Sequence, residues 1–213
     1  MAQLFSQRAD ILLRTALVAA IISVVALPLA AWAFARTPAA TGQYRAFRQP
    51  VPFAHSLHVS GLKIDCRYCH AGAERAAMAG LPPTAACVPC HHDATVSSNL
   101  FTAVRQSLSS GKPIPWQRVT RLPDFVFFNH AVHVQNGVDC QACHGPVESM
   151  REVYQAAPLT MEWCVQCHRA PERYITPRAT RVSGWMRGDL ARGRAIAARY
   201  DVQRLLSCTT CHR

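Results

Sequence analysis

Beyond residue 35 the sequence has few long apolar runs, and acidic residues are scarce, with 12 Asp and Glu against 23 Lys and Arg. Half of all residues are apolar, but one N-terminal segment raises that figure. The remainder is rich in Pro, Arg and Ala, so its side chains alone would form only a small core. We therefore expect a bound group to fill part of the interior.

No cysteine is left for a disulfide, because all ten lie in five Cys-x-x-Cys-His motifs. Motif 1 is residues 66–70, motif 2 is 87–91, motif 3 is 140–144, motif 4 is 164–168 and motif 5 is 208–212. The pattern is typical of haem c, which is bonded to both cysteine sulfurs while the histidine binds its iron. The predicted attachment residues are Cys66, Cys69, Cys87, Cys90, Cys140, Cys143, Cys164, Cys167, Cys208 and Cys211. The predicted proximal ligands are His70, His91, His144, His168 and His212.

Paired cysteines also occur in zinc sites and in thioredoxin-like redox pairs. Neither use needs a histidine directly after every second cysteine, and here all five motifs have one. The sequence therefore predicts five covalently bound haem c groups as its cofactors. Their propionates would add about ten negative charges, which nearly balances the formal net charge of +11. No basic run interleaved with aromatic residues is present, so we expect no nucleic-acid partner.

Residues 15–35 form an uncharged stretch of 21 residues, close to the ~20 that cross a bilayer core. Arg8 and Arg14 precede it, which predicts a cytoplasmic N-terminus at 1–14 and export of the rest. Small-x-small sequences within 31–35 would also suit a cleaved signal peptide. The length of the stretch favours an uncleaved signal anchor, and both interpretations export the haem motifs.

A repeat of one ordered set of elements begins at Phe53 and again at Phe128. Each copy reads Phe-x-His-x-x-His-Val, then Gly, then Asp directly before a haem motif, and then a second haem motif. We predict two dihaem modules, and the rest of the chain is divided around them. The predicted segments are linker 36–50, module 51–92, connecting segment 93–125, module 126–170, and C-terminal segment 171–213 with motif 5.

The repeat supplies two additional histidines to each module, and each module has two haem motifs. The predicted distal iron ligands are His55, His58, His130 and His133. Histidines at i and i+3 share a helical face and can bind neighbouring irons. For the fifth haem the sequence leaves Met161 or Met150, with His92 as the alternative; Met78 and Met186 are further candidates.

The predicted fold is mainly α with much irregular structure, and short helices carry the haem motifs. One helix is expected after Ser97 or Ser98, with Gly111 at its end. Another is expected from about Trp185 to Leu206, leading into motif 5.

Several strings resemble the pentahaem cytochrome c subunit of bacterial alternative complex III, a quinol:electron-acceptor oxidoreductase, and the match covers nearly the whole chain. The modules more distantly resemble class III multihaem cytochromes c. The strings that carry the main resemblance are 53–58, 65–70, 111–116, 122–126, 159–164 and the terminal Cys-x-x-Cys-His.

This resemblance implies an electron-transfer subunit rather than an enzyme in its own right, with mainly bis-His haems and one His/Met haem. It implies iron–sulfur, quinol-oxidising membrane and monohaem cytochrome subunits as partners, and a downstream cytochrome c or terminal oxidase. The chain would be single-pass in the cytoplasmic membrane, in contact with lipid, with its haem domain on the periplasmic side.

Two other functions compete with this interpretation. A stand-alone membrane multihaem quinol dehydrogenase would hold its first haem close to the membrane segment, whereas about 30 residues separate Ala35 from Cys66. A multihaem reductase needs one iron with an open position, but enough ligands exist here to close every iron.

Overall fold

The computed structural model describes residues 6–177 and 189–212, and the chain divides into two compact units, Met1–Gly42 and Gln43–Arg213. The first unit contains helix α1, Gln7–Ala35, and the single turn α2, Pro38–Thr41. By length and composition α1 could cross a membrane, and an N-terminal signal sequence has the same properties. It begins eight residues before the predicted stretch, because Ser6 accepts a hydrogen bond from the Ala9 N–H and caps the helix.

The second unit consists of short helical segments joined by irregular chain. Its α-helices are α3 Cys66–Cys69, α4 Val88–Ser97, α5 Thr102–Ser110, α6 His130–Gln135, α7 Cys140–His144, α8 Met161–Arg169, α9 Leu190–Arg199 and α10 Cys208–Cys211. A π-helical turn spans Ser56–Gly61, and 3₁₀ turns span Thr84–Cys87, Asn99–Phe101, Val147–Ser149 and Pro171–Arg173. Within 6–177 and 189–212 there is no strand, only two isolated antiparallel bridges, Ala46–Tyr154 and Val138–Ile175. The predicted mainly helical, loop-rich fold is confirmed.

Each haem motif lies on a helical turn, and the residue before the motif starts that turn in three of the five cases. Asp65 and Asp139 cap α3 and α7 by accepting hydrogen bonds from the N–H groups of Arg67 and Gln141, both at 2.8 Å. Ser207 also precedes its helix, α10, but without a side-chain cap. Since the cysteines stand at i and i+3, one turn brings both sulfurs to the same face.

The helix predicted in the connecting segment is present. Ser98 caps the 3₁₀ turn that leads into α5, and Gly111 ends α5 with a φ of 69°. The helix predicted for about 185–206 is shorter than expected, and its first residues lie outside the described part of the chain. Helix α9 ends at Arg199, and Asp201 then adopts a φ of 51° that breaks the helix. Residues 202–206 are irregular, so that part of the prediction is wrong.

The aliphatic core of the second unit is small. Its buried apolar residues within the described ranges are Ala73, Val104, Ile114, Ala131, Val134, Met150, Ala157, Ile175 and Ile196. A third of these are alanines, which bury little surface each. The scarcity of long apolar runs in the sequence is thus matched by a scarcity of aliphatic packing in the structure.

Gly137 closes the loop that joins α6 to motif 3. Its φ is +86°, and an added Cβ would collide with the carbonyl oxygen of Thr176. The Thr176 N–H donates to the Gly137 carbonyl at 2.8 Å, which ties this loop to the segment after α8. Only glycine combines that backbone angle with so close a contact.

We predict that Gly137→Ala destabilises the holoprotein more than Gly111→Ala, whose φ is +69° but whose Cβ would meet open space. The left-handed backbone costs an L-residue about 1–2 kcal/mol, so the control should lose about that much free energy of unfolding. Gly137→Ala should lose more because the Thr176 carbonyl must also move. Denaturant unfolding of both variants checks this, and equal losses would contradict it.

Candidate haem-binding sites

The two Phe-x-His-x-x-His elements adopt the same aromatic arrangement. Phe53 stacks on His58 with ring centres 4.2 Å apart and meets His55 edge-on at 4.9 Å. In the second copy Phe128 stacks on His133 at 4.5 Å and meets His130 edge-on at 4.8 Å. The repeated phenylalanine therefore fixes the orientation of both histidines in each module. Its presence in the repeat was visible in the sequence, but its positioning role was not predicted.

Each of these histidines faces a histidine of one haem motif. The ring centres are 6.0 Å apart for His58 and His91, 6.3 Å for His130 and His144, and 6.0 Å for His133 and His168. The fourth pair, His55 and His70, is close enough for electrostatic interaction. The pairing follows the order of the chain within each module: the first distal candidate faces the first motif and the second faces the second motif.

The ring spacing fits a shared metal ion. A metal–imidazole nitrogen bond is about 2 Å long, and the nitrogen lies roughly 1.1 Å from its ring centre, so two axial imidazoles have centres about 6 Å apart. All three measured pairs have this spacing, and the residue types are those that ligate haem iron. The residues present therefore fit bis-histidine haem c.

Backbone carbonyls orient most of these rings. A carbonyl oxygen can only accept, so each Nδ1 must carry the proton, which leaves the Nε2 lone pair free for a metal. The donor–acceptor pairs are His58 to Ala54 at 2.9 Å, His70 to Gly80 at 2.8 Å, His130 to Ala77 at 2.9 Å, His133 to Asn129 at 2.8 Å, His168 to Leu205 at 3.0 Å and His212 to Phe125 at 3.0 Å. These acceptors carry no signal in the sequence, because any residue supplies a backbone carbonyl.

Burial keeps several rings neutral, the form that binds metal. Burial, helped by the neighbouring His130 and His70, lowers the pKa of His144 to about 4. Burial likewise lowers the pKa of His55 to about 4, with His70 and His58 adding to the effect. The Nδ1 atom of His55 is buried and has no hydrogen-bond partner, unlike its counterpart in His130.

None of the ten cysteines forms a disulfide, and each motif presents its pair on one turn. Burial raises the pKa of Cys143 to about 12 and that of Cys167 to about 11, so these thiols stay protonated at neutral pH. In the described ranges no three His, Cys, Asp or Glu side chains converge in a way that could hold a metal ion. The arrangement of separate cysteine pairs and facing imidazoles therefore does not resemble a tetrahedral thiolate site.

Motif 5 is anchored to residues 125–127, where the connecting segment joins the second module. The Phe127 N–H donates to the Cys211 carbonyl at 2.8 Å, and the Phe125 ring lies 5.8 Å from the His212 ring. The thiol of Cys211 lies within electrostatic reach of Cys164 in motif 4. Motif 5 is therefore adjacent to the start of α8.

The candidates for the fifth distal ligand lie in different surroundings. Met150 is 5% exposed, and its methyl group lies against Gly145. Met161 is 72% exposed and stands one helical turn before Cys164. His92 is exposed, with its Nδ1 3.0 Å from an Asp93 oxygen. Met78 is 59% exposed, and Met186 lies outside the described residues.

Comparison with known proteins agrees with this geometry. Residues 126–213, which contain α6 and motifs 3 to 5, match the profile of the family described as cytochrome c7 and related cytochrome c. The chain contains a cytochrome c7-like multihaem domain. It is also 38% identical over 122 residues to the menaquinone reductase multihaem cytochrome c subunit of Nitratidesulfovibrio vulgaris. The match covers 57% of this chain and 55% of that relative, so it spans about half the length of each.

Equivalent aspartates in the two copies of the repeat have opposite pKa shifts. The hydrogen bond from Arg67 lowers the pKa of Asp65 below 3.8. Asp139 is 2% exposed, one of its oxygens has no partner, and burial raises its pKa. The two modules therefore share an aspartate cap at the first haem motif but differ in the electrostatics next to motifs 1 and 3.

We predict that Arg67→Gln lowers the denaturation midpoint at pH 6 and that this loss becomes smaller as the pH falls below the ordinary pKa of Asp65. A depressed folded-state pKa stabilises the protein above the unfolded-state pKa, and this contribution is lost as the pH falls through the folded-state pKa and Asp65 is protonated in both states. The measurement is denaturant unfolding at a series of pH values, with the exposed Arg118→Gln as control. A loss that is independent of pH would contradict the assignment.

Proposed function

We propose that the whole chain is a c-type cytochrome that holds five covalently bound haem c groups and relays electrons within a quinone-linked respiratory complex of the membrane. The observation that carries the proposal is the set of facing imidazole pairs, each next to a cysteine pair that can hold a haem. Haem iron, when bound, supplies reversible one-electron chemistry. The relative from N. vulgaris supports the complex, since it is a subunit of a menaquinone reductase.

The ligand assignment follows from which rings face each other. We assign one iron each to the pairs His55 with His70, His58 with His91, His130 with His144, and His133 with His168. The phenylalanines hold the distal rings, and the backbone carbonyls hold the Nδ1–H groups. With two protein ligands on each iron, no position is open for a substrate, which favours an electron-transfer subunit over a multihaem reductase.

For the fifth iron we assign His212 as proximal ligand and Met161 as distal ligand. Met161 lies on the same helical face as Cys164, whose thiol lies near Cys211 of motif 5. Its side chain is exposed, whereas that of Met150 is packed against Gly145 and fills part of the core. Thioether ligation would give this haem a higher potential than its bis-histidine neighbours.

The N-terminal helix α1 has the length and composition of a membrane anchor. We propose that residues 1–14 lie in the cytoplasm, that the haem unit lies on the periplasmic side, and that 51–92 and 126–170 are the two dihaem modules. The proposed partners are iron–sulfur, quinol-oxidising membrane and monohaem cytochrome subunits, as in alternative complex III, with electrons passing to a cytochrome c or a terminal oxidase.

A second direction of electron flow is favoured by one observation. The 38% identical relative belongs to a complex that is named for menaquinone reduction rather than quinol oxidation. In that case the same haem sites would carry electrons toward quinone. The ligands and attachment residues are the same for both directions.

We predict that the tagged full-length protein, purified from membranes in mild detergent, brings further redox subunits with it. Menaquinol should reduce haems in this complex, whereas reoxidation of reduced haems by menaquinone alone would indicate the second direction. Haem reduction by quinol in the isolated subunit would instead indicate a stand-alone quinol dehydrogenase. No electron exchange with either form of the quinone would contradict a quinone-linked function.

We predict that His130→Ala opens one iron, because His144 would then be the only axial protein ligand at motif 3. One haem in five should become high-spin in the visible and EPR spectra. His92→Ala serves as control and should leave the spectra unchanged. A His130→Ala protein that keeps every haem low-spin would show that the assignment is wrong.

We predict that Met161→Ala and Met150→Ala have opposite effects. Met161→Ala should remove the His/Met spectral signature and lower the highest potential, with little loss of stability because the side chain is exposed. Met150→Ala should leave the spectra intact but cost about 2–5 kcal/mol through the cavity it creates. Redox titration and denaturant unfolding measure both properties, and the reverse pattern would transfer the ligand role to Met150.

A further inference from the structure

Each module holds the histidine element of the other module through hydrogen bonds. In the second module the N–H groups of His130 and Ala131 donate to the carbonyls of Ala77 and Ala76 in the first, both at 3.1 Å. His130 also donates from Nδ1 to Ala77. The distal histidine for motif 3 is thus held by the loop that follows motif 1.

The contact is reciprocal. In the first module the Ser56 N–H donates to the Met150 carbonyl at 3.0 Å, and the Ser60 hydroxyl donates to the Glu148 carbonyl. The histidine turn next to motif 1 is therefore held by the loop that follows motif 3. Such reciprocal contacts relate the modules by an approximate two-fold axis, as in an isologous dimer.

An isologous contact brings equivalent residues of the two modules together. Here the equivalent residues are those of motif 1 and motif 3, the first haem motif of each module. The side chains of Cys66 and Cys140 are neighbours. Their proximal histidines, His70 and His144, lie within electrostatic reach. Motifs 1 and 3 are therefore adjacent, although motif 2 lies between them in the sequence.

The outer motifs flank this central pair. In the first module the Phe53 ring contacts both distal candidates, His55 and His58, so the motifs that these histidines face, 1 and 2, are neighbours. In the second module Phe128 contacts His130 and His133 in the same way, so motifs 3 and 4 are neighbours. Motif 4 in turn approaches motif 5, since His168 donates to the Leu205 carbonyl, three residues before Cys208.

We infer that the five haem sites form a single row in the order 2, 1, 3, 4, 5. The inference rests on the proposed function, because it assumes a haem at each motif. Motifs 2 and 5 are the ends of the row, where partner subunits can exchange electrons with this protein. Motif 1 is an interior site, although it comes first in the sequence.

The test marks one iron at a time in the holoprotein. His55→Ala opens the iron of motif 1 and His58→Ala that of motif 2, and each gives a high-spin ferric EPR signal. A neighbouring paramagnetic iron accelerates the relaxation of that signal. Each variant is then combined with Cys140→Ala and Cys143→Ala, which remove the haem of motif 3.

If the order is 2, 1, 3, the high-spin signal of motif 1 loses relaxation enhancement when the haem of motif 3 is removed. The high-spin signal of motif 2 does not change. The order 1, 2, 3 gives the opposite result, which would overturn the inference. If the double cysteine variant does not accumulate, His130→Ala marks motif 3 while Cys87→Ala and Cys90→Ala remove the haem of motif 2. The marker should then be unchanged, and altered relaxation would overturn the order.

Two controls separate this inference from the proposed function. The haem count per chain should be five, or four in each cysteine variant, and each histidine variant should give one high-spin iron. With these values in place, an opposite relaxation pattern refutes the order alone. A wrong haem count, or no high-spin iron, refutes the proposed haem ligation itself.

Discussion

The structure depends on one geometric constraint, a separation between facing imidazole rings that equals the separation a shared iron would require. The facing pairs have ring centres 6.0 to 6.3 Å apart, and short turns rather than long helices achieve this spacing. A stacked phenylalanine and a carbonyl acceptor hold the distal rings of His58 and His133 in place. Axial ligation needs directed nitrogen lone pairs, and these contacts direct them.

A haem at each of these sites would also explain why the aliphatic core is small. Its buried apolar residues are few and often small, and the haem motifs occupy the turns around them. A covalently held porphyrin supplies a large apolar surface without any aliphatic side chain, so the chain needs few long apolar runs. The propionates of five haems, if present, would also balance the excess of arginine.

Local features were predictable from the sequence, and long-range pairings were not. The helical turns at the motifs, the Ser98 and Gly111 ends of the connecting helix and the repeat all follow from short-range patterns. The contact of His130 with Ala77 spans 53 residues and uses a backbone carbonyl, which leaves no trace in residue identity. For the same reason the sequence could not predict that each module holds the histidine element of the other. The adjacency of motifs 1 and 3 could not be predicted either. The early end of α9 depends on the backbone angle of Asp201, a residue type that also occurs within helices.

The central claim is that a haem is bonded to each of the five cysteine pairs. The most direct measurement is the pyridine haemochrome of the mature purified protein, combined with its intact mass. The account predicts five haem c groups per chain, each bound through two thioethers, with no free thiol remaining. Fewer than five haems, a colourless product, or zinc held by the cysteines would contradict it.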